Sequence, residues 1–174
     1  MEAYPLYDYI QITKSSSEGT SVEEAKGIYT FQIPNGFYTS NQRSSVATVE
    51  AVVGSVDIDH TQATIDTLNV GLVNPTPSNA NTTNNDTTAP PTLISFDNVG
   101  MNSGRQAQYQ TENPAYQIPA RPSSLKIKFF EDGLGTNQSN MGAIIADFVI
   151  TLKFVYYDPI KTTLNLGNQY TPTI

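Results

Sequence analysis

The chain has 174 residues, the size of one domain with a single core, and Cys 0 excludes disulfides, thiolate metal sites, iron–sulfur clusters and a cysteine nucleophile. Lys+Arg 9 against Asp+Glu 16 gives a formal net charge of -7, the wrong sign for affinity that comes from neutralising phosphates, so nucleic acid is not an expected partner. Charged residues are only 14%, against about 25% in an average domain, and Thr, Asn, Ser and Gln supply the surface instead, residues that favour strands and turns over helices.

The opening MEAYPLYDYI has neither the basic nor the apolar region of a signal peptide, and no apolar run approaches the roughly 20 residues that cross a bilayer. A chain made in the cytosol, without direct membrane insertion, is expected. Short alternating runs dominate and predict an all-β fold. The first is Leu6 to Thr13, with Leu6, Ile10 and Ile12 on one face and Tyr7, Tyr9 and Gln11 on the other. One helical turn is expected near Ser21 to Lys26, with Ser21 as N-cap and Glu24 completing a capping box.

Ile28 to Ile33 places Tyr29, Phe31 and Ile33 on one face and ends at Pro34-Asn35-Gly36, a turn signal. Val46 to Val53 carries apolar residues on both faces, so it is expected to be covered twice, by the second sheet and by a loop or neighbouring chain. Ala63 to Leu72 points Leu68, Val70 and Leu72 inward, with Asp66 and Asn69 opposite or at its ends. Asn74 to Pro91 lacks any large apolar side chain and predicts a long surface loop.

Thr92 to Phe96 is the fifth strand. The polar stretch from Asp97 to Ser124 yields only Gln106 to Gln110 as a sixth. Leu125 to Phe130 turns Leu125, Ile127 and Phe129 in and Lys126 and Lys128 out, and glycines and asparagines between Glu131 and Gly142 predict a turn. Ala143 to Tyr157 is the longest element, with Ile144, Ala146, Phe148, Ile150, Leu152, Phe154 and Tyr156 on one face and a span of about 45 Å. Asp158-Pro159 ends it. The reading is a single domain over 1–159, with a polar loop at 74–91 and a C-terminal arm at 160–174.

A catalytic triad needs a base, and the only histidine is His60. Asp57-Ile58-Asp59-His60 has the residue types of a divalent-metal corner, but no second acidic cluster completes it, so a polar strand end is expected there. Glu50, Asp66, Glu112, Glu131 and Asp147 show no spacing that favours a glycosidase pair. Gly133-Leu134-Gly135 and Gly100-Met101-Asn102-Ser103-Gly104 lie between strands, without the helix a phosphate cradle requires. The sequons at Asn81, Asn85 and Asn137 need a secretory route that nothing in the sequence signals. No catalytic residue, metal site or cofactor is expected. Tyr 10 with Trp 0 puts tyrosines at strand ends, where they suit interfaces. The candidate contact residues are Tyr7 and Tyr9, Arg105 and Arg121 in the long connection, and Tyr170 in the arm.

Eight strands with a long loop after the fourth fit two four-stranded sheets packed as an eight-stranded jelly-roll sandwich. The segments YPLYDYIQITKSSS, GIYTFQIPNGFY, SSVATVEAVVGSVDI and ADFVITLKFVYYDP resemble the small single jelly-roll capsid proteins of large icosahedral double-stranded DNA viruses. That resemblance implies a structural subunit of the virion, made in the host cytoplasm: a homopentameric penton at the vertices or a minor capsid protein stabilising the shell. Its partners would be other capsid proteins, including the major capsid protein. The alternative is a carbohydrate- or receptor-binding β-sandwich, such as a viral or phage fibre head or an adhesin module. Trp 0 weighs against that alternative, since indole is the preferred platform for sugar rings.

Overall fold

Alternating apolar residues become strands where one face can be buried. The computed structural model describes residues 5–34, 37, 46–59, 67–74, 90–97, 106–109, 115–119, 121–131 and 141–157. In chain order the elements are β1 (Pro5–Thr13), a 3-10 turn (Lys14–Ser16), α1 (Ser21–Ala25), β2 (Ile28–Gln32), β3 (Val46–Ile58), β4 (Thr67–Asn74) and β5 (Thr92–Asp97). They continue as β6 (Gln106–Tyr109), β7 (Tyr116–Pro119), β8 (Ser124–Glu131), α2 (Met141–Ile144) and β9 (Ile145–Tyr157).

One sheet has the order β1-β9-β3, with β6 and β7 both on β3, and the other has the order β2-β8-β4-β5. Thr48 and Val49 pair with β7 as well as β9, and Val53 to Val56 pair with β6 as well as β9. Both short strands therefore lie on the side of β3 away from β9, as one interrupted strand position. The result is two sheets of four positions in jelly-roll order, with the chain changing sheet at each connection except β4–β5 and β6–β7. The all-β, eight-stranded sandwich expected from the sequence is the fold.

The core lies between the sheets. β9 contributes Phe148, Ile150, Leu152, Phe154 and Tyr156, facing Tyr29 and Phe31 of β2, Leu68, Val70 and Leu72 of β4, and Leu125, Ile127 and Phe129 of β8. Tyr29, Phe129 and Phe148 form its aromatic centre, with centroids 4.9 Å apart for Tyr29–Phe148 and for Phe129–Phe148. Gly54 faces the other sheet with no room for a side chain: a Cβ there would stand 2.8 Å from Ile94 Cδ1 and 2.9 Å from Phe96 Cζ.

Several elements differ from the sequence reading for identifiable reasons. β3 does not need cover from a neighbouring chain to explain its two apolar faces. The ladder with β9 skips Val52, a bulge, so the inward set changes from Ala47, Val49 and Ala51 to Gly54, Val56 and Ile58. At the other end Asp57 faces Asp147 and Ile58 faces Ile145, leaving Ala146 as the extra residue. Ala146 is therefore exposed, Ile145 points inward, and Ile144 belongs to the turn of α2.

The N-cap of α1 is Thr20, one residue earlier than expected, and its side chain accepts from the backbone N–H of Glu23. Glu24 accepts instead from the Ser17 hydroxyl at 2.8 Å. Gly27, at φ 73, ends the turn: its N–H donates to Glu24 O and its carbonyl accepts from Phe129 N, tying α1 to β8. β7 went unread because its flanks are polar and proline-bearing, yet its Ile118 is fully buried. Asn69 does lie opposite Leu68 and Val70, but only 3% of it is exposed. Ser95, its partner in the ladder, donates to it at 2.5 Å, and Pro90 lies over neighbouring Gly71.

The Phe37 N–H donates to Pro34 O, at the turn expected after β2. Most of the 74–91 loop, the glycine turns at 100–104 and 133–135, the three sequons, Asp158-Pro159 and the 160–174 arm lie outside the described residues.

Candidate interaction face

The outward face of the β1-β9-β3 sheet is set by register. Across it, Tyr7, Val155 and Thr48 form one row, and Tyr9, Lys153 and Glu50 the next. Lys153 Nζ is 2.9 Å from Glu50 Oε1 and 4.8 Å from the centroid of the Tyr7 ring. The hydrogen bond to Glu50 raises the Lys153 pKa, so the ammonium is held charged as a brace joining three strands. Tyr7 is 49% exposed and Tyr9 55%, side by side along one strand.

This arrangement offers flat aromatic area, two phenolic hydroxyls and a neutralised ion pair, which is binding chemistry. Three further charged groups among the described residues are engaged within the fold. Lys126 Nζ lies 2.8 Å from Glu23 Oε1, holding α1 on β8, and that hydrogen bond lowers the Glu23 pKa. Asp147 Oδ1 accepts from Phe148 N at 2.8 Å. Between Asp57 and Asp59 stands Ile58, a core residue, and the Asp59 N–H donates to Ile144 O, so this stretch is a strand end bound to α2. His60, Asp66 and Glu112 lie outside the described residues. Among the described residues no group of three or more His, Asp or Glu is placed to hold a metal ion. No helix among them is long and apolar enough to cross a membrane.

Of the contact residues read from the sequence, Tyr7 and Tyr9 share this face. Arg121 does not join them: it follows β7, at the opposite edge of the sheet, exposed and with φ 57, a left-handed conformation that is uncommon for a side-chain-bearing residue. Arg105 and Tyr170 lie outside the described residues. Lys153 and Glu50 were missed. The available signal was their isolation, since each is the only charged residue in a long apolar run, 148–157 and 46–56.

No protein-family model matches the chain, and no curated protein sequence matches it. Among solved structures it is similar to the virus-like particle of the extra small virus of the giant freshwater prawn Macrobrachium rosenbergii, at 9% identity and a TM-score of 0.28, over 88% of this chain and 81% of that one. The Kashmir bee virus empty particle at acidic pH is similar at 11% identity and a TM-score of 0.22, over 90% of this chain and 93% of that one. At such TM-scores neither likeness fixes a function.

Proposed function

We propose that this chain is a structural subunit of a viral capsid, built to bind other protein subunits and not to catalyse a reaction. The observation that carries the reading is the jelly-roll strand order combined with an outward sheet face whose central ion pair, Lys153–Glu50, is braced and whose exposed aromatic side chains are Tyr7 and Tyr9. The sequence resemblance of the β1, β2, β3 and β9 segments to single jelly-roll capsid proteins supports it, and so does the acidic balance, which suits protein contacts over contacts with a packaged genome.

In this reading the chain is made in the host cytoplasm and carried in the virion beside a major capsid protein, either as a pentameric penton or as a minor protein stabilising the shell. The test is the mass in solution by light scattering after size exclusion, at several concentrations. A discrete species near five times 19.0 kDa, or a pair of such pentamers, supports the penton. A trimer points to a fibre or receptor-binding head and overturns the capsid role. A monomer at every concentration removes the penton, and co-assembly with a major capsid protein against a glycan screen then separates a minor capsid subunit from a binding module.

A further inference from the structure

β1 is the outermost strand of its sheet and pairs only with β9 among the described strands, in a register unbroken from Pro5↔Tyr157 to Thr13↔Val149. An edge strand presents half its backbone donors and acceptors sideways, and a chain that must stay apart from others blunts such an edge with lysine, internal proline, a bulge or a covering segment. The other sheet follows that rule. Glu18 donates a backbone hydrogen bond onto Thr30 of its edge strand β2, and the opposite edge strand β5 carries a bulge at Leu93.

Among the described residues β1 has none of these devices: its proline is the first residue, its ladder has no bulge, it contains no lysine or arginine, and no described segment pairs with its outer side. Its one carboxylate, Asp8, is buried and already engaged within the chain. Three of the four exposed large hydrophobic side chains among the described residues, Leu6, Tyr7 and Tyr9, lie on it.

We propose that β1 is a self-association edge, to which a second copy of this chain adds its own β1 antiparallel about a two-fold axis centred on Tyr9. A two-fold contact requires a surface complementary to itself, and the register centred on Tyr9 meets that condition over the full length of the strand. Tyr9 is the midpoint of the nine residues from Pro5 to Thr13, so pairing centred there engages the whole strand. On the outward face Tyr9 meets the partner's Tyr9, and Tyr7 meets the partner's Gln11. On the inward face Leu6 meets the partner's Ile12, and Asp8 meets the partner's Ile10. No like charges oppose each other, whereas an axis one residue away, on Asp8, would set two carboxylates face to face. The pairing also engages the β1 edges of both copies at once, so it closes as a dimer and does not propagate through β1.

The contact is independent of the capsid reading, and the absence of native cysteine makes it directly testable. Tyr9→Cys places single thiols across the axis, and mild oxidation should convert the chain to a covalent dimer of twice 19.0 kDa on a non-reducing gel. Val22→Cys, on α1 and 64% exposed, controls for random collision and should stay monomeric on that gel. Tyr9→Lys sets two ammonium groups opposite each other and should halve the light-scattering mass, from two copies to one or from ten to five, with an unchanged far-UV spectrum. Cross-linking of Tyr9→Cys no faster than of Val22→Cys overturns the proposal. So does a mass that Tyr9→Lys leaves intact, including a pentamer that persists, which would spare the penton reading while removing this contact. If Tyr9→Lys fails to fold, the cross-linking comparison alone decides.

Discussion

Tyr29 concentrates the tension between packing and polarity in this core. Its ring fills the space between Phe129 and Phe148, but its hydroxyl is buried without a hydrogen-bond partner among the described residues. Burial pushes its pKa up to about 12 from the ordinary phenol value of 10.0. Below pH 10 both folded and unfolded chains are neutral at this site. Between pH 10 and 12 the unfolded chain ionises while the folded one resists, so stability falls as pH rises, by up to about 3 kcal/mol. Tyr29→Phe should remove that alkaline loss and, by deleting an unsatisfied hydroxyl, leave stability at pH 7 equal or up to about 1 kcal/mol higher, as read by urea unfolding at both pH values. Gly54 shows the opposite sensitivity, because the facing sheet already occupies the position of its Cβ. Gly54→Val should cost about 3 kcal/mol by forcing Ile94 and Phe96 aside, whereas Ala146→Val, at the exposed bulge of β9, should change stability by less than about 0.5 kcal/mol.

Single elements show where local pattern is informative and where it ends. Thr20→Ala should cost about 1 kcal/mol in thermal or urea unfolding, because it removes the acceptor for the Glu23 N–H, while Ser21→Ala should be nearly silent; the reverse result would move the cap back to the position the sequence suggested. Removing the neighbouring Glu23–Lys126 pair with Glu23→Gln should cost under about 1 kcal/mol, since both groups are partly solvated. The lowered Glu23 pKa sets the direction of its pH dependence: the contribution is present above the unfolded carboxylate pKa and is lost as pH falls through the folded one. The alternation in β2, β8 and most of β9 was legible because each strand buries one unbroken face. β3 misled because a bulge at Val52 swaps its faces midway, and a bulge looks in sequence like two apolar sides. β7 was silent because a four-residue strand with one inward side chain, Ile118, has no period to detect. The exposed tyrosines of β1 could be read from alternation alone. The Glu50–Lys153 brace could not, because it depends on the register between strands about a hundred residues apart in the chain, a property of the tertiary fold.

At the scale of the molecule the chain's two ends must meet before its sheet exists. β9 lies between β1 and β3, and its pairing with β1 runs from Pro5↔Tyr157 to Thr13↔Val149, so the sheet closes only after nearly the whole chain is available. Such non-local pairing meets loop-closure entropy before contacts repay it, which places folding in the slow range of milliseconds to seconds, measurable by stopped-flow refolding. It also makes β9 the least dispensable segment. A chain ending at residue 144 loses Phe148, Ile150, Leu152, Phe154 and Tyr156, all fully buried, and strands both β1 and β3 without their shared neighbour. That truncation should give a disordered far-UV spectrum and no cooperative transition. A chain ending at residue 159 keeps every one of those core contacts, so it should retain the spectrum and thermal midpoint of the full chain while assembling more weakly if 160–174 acts as an arm between subunits. Unfolding of the 159-residue chain would instead make 160–174 part of the core, and equal assembly by both chains would leave intersubunit contact to the sheet face and edge that carry Tyr7 and Tyr9.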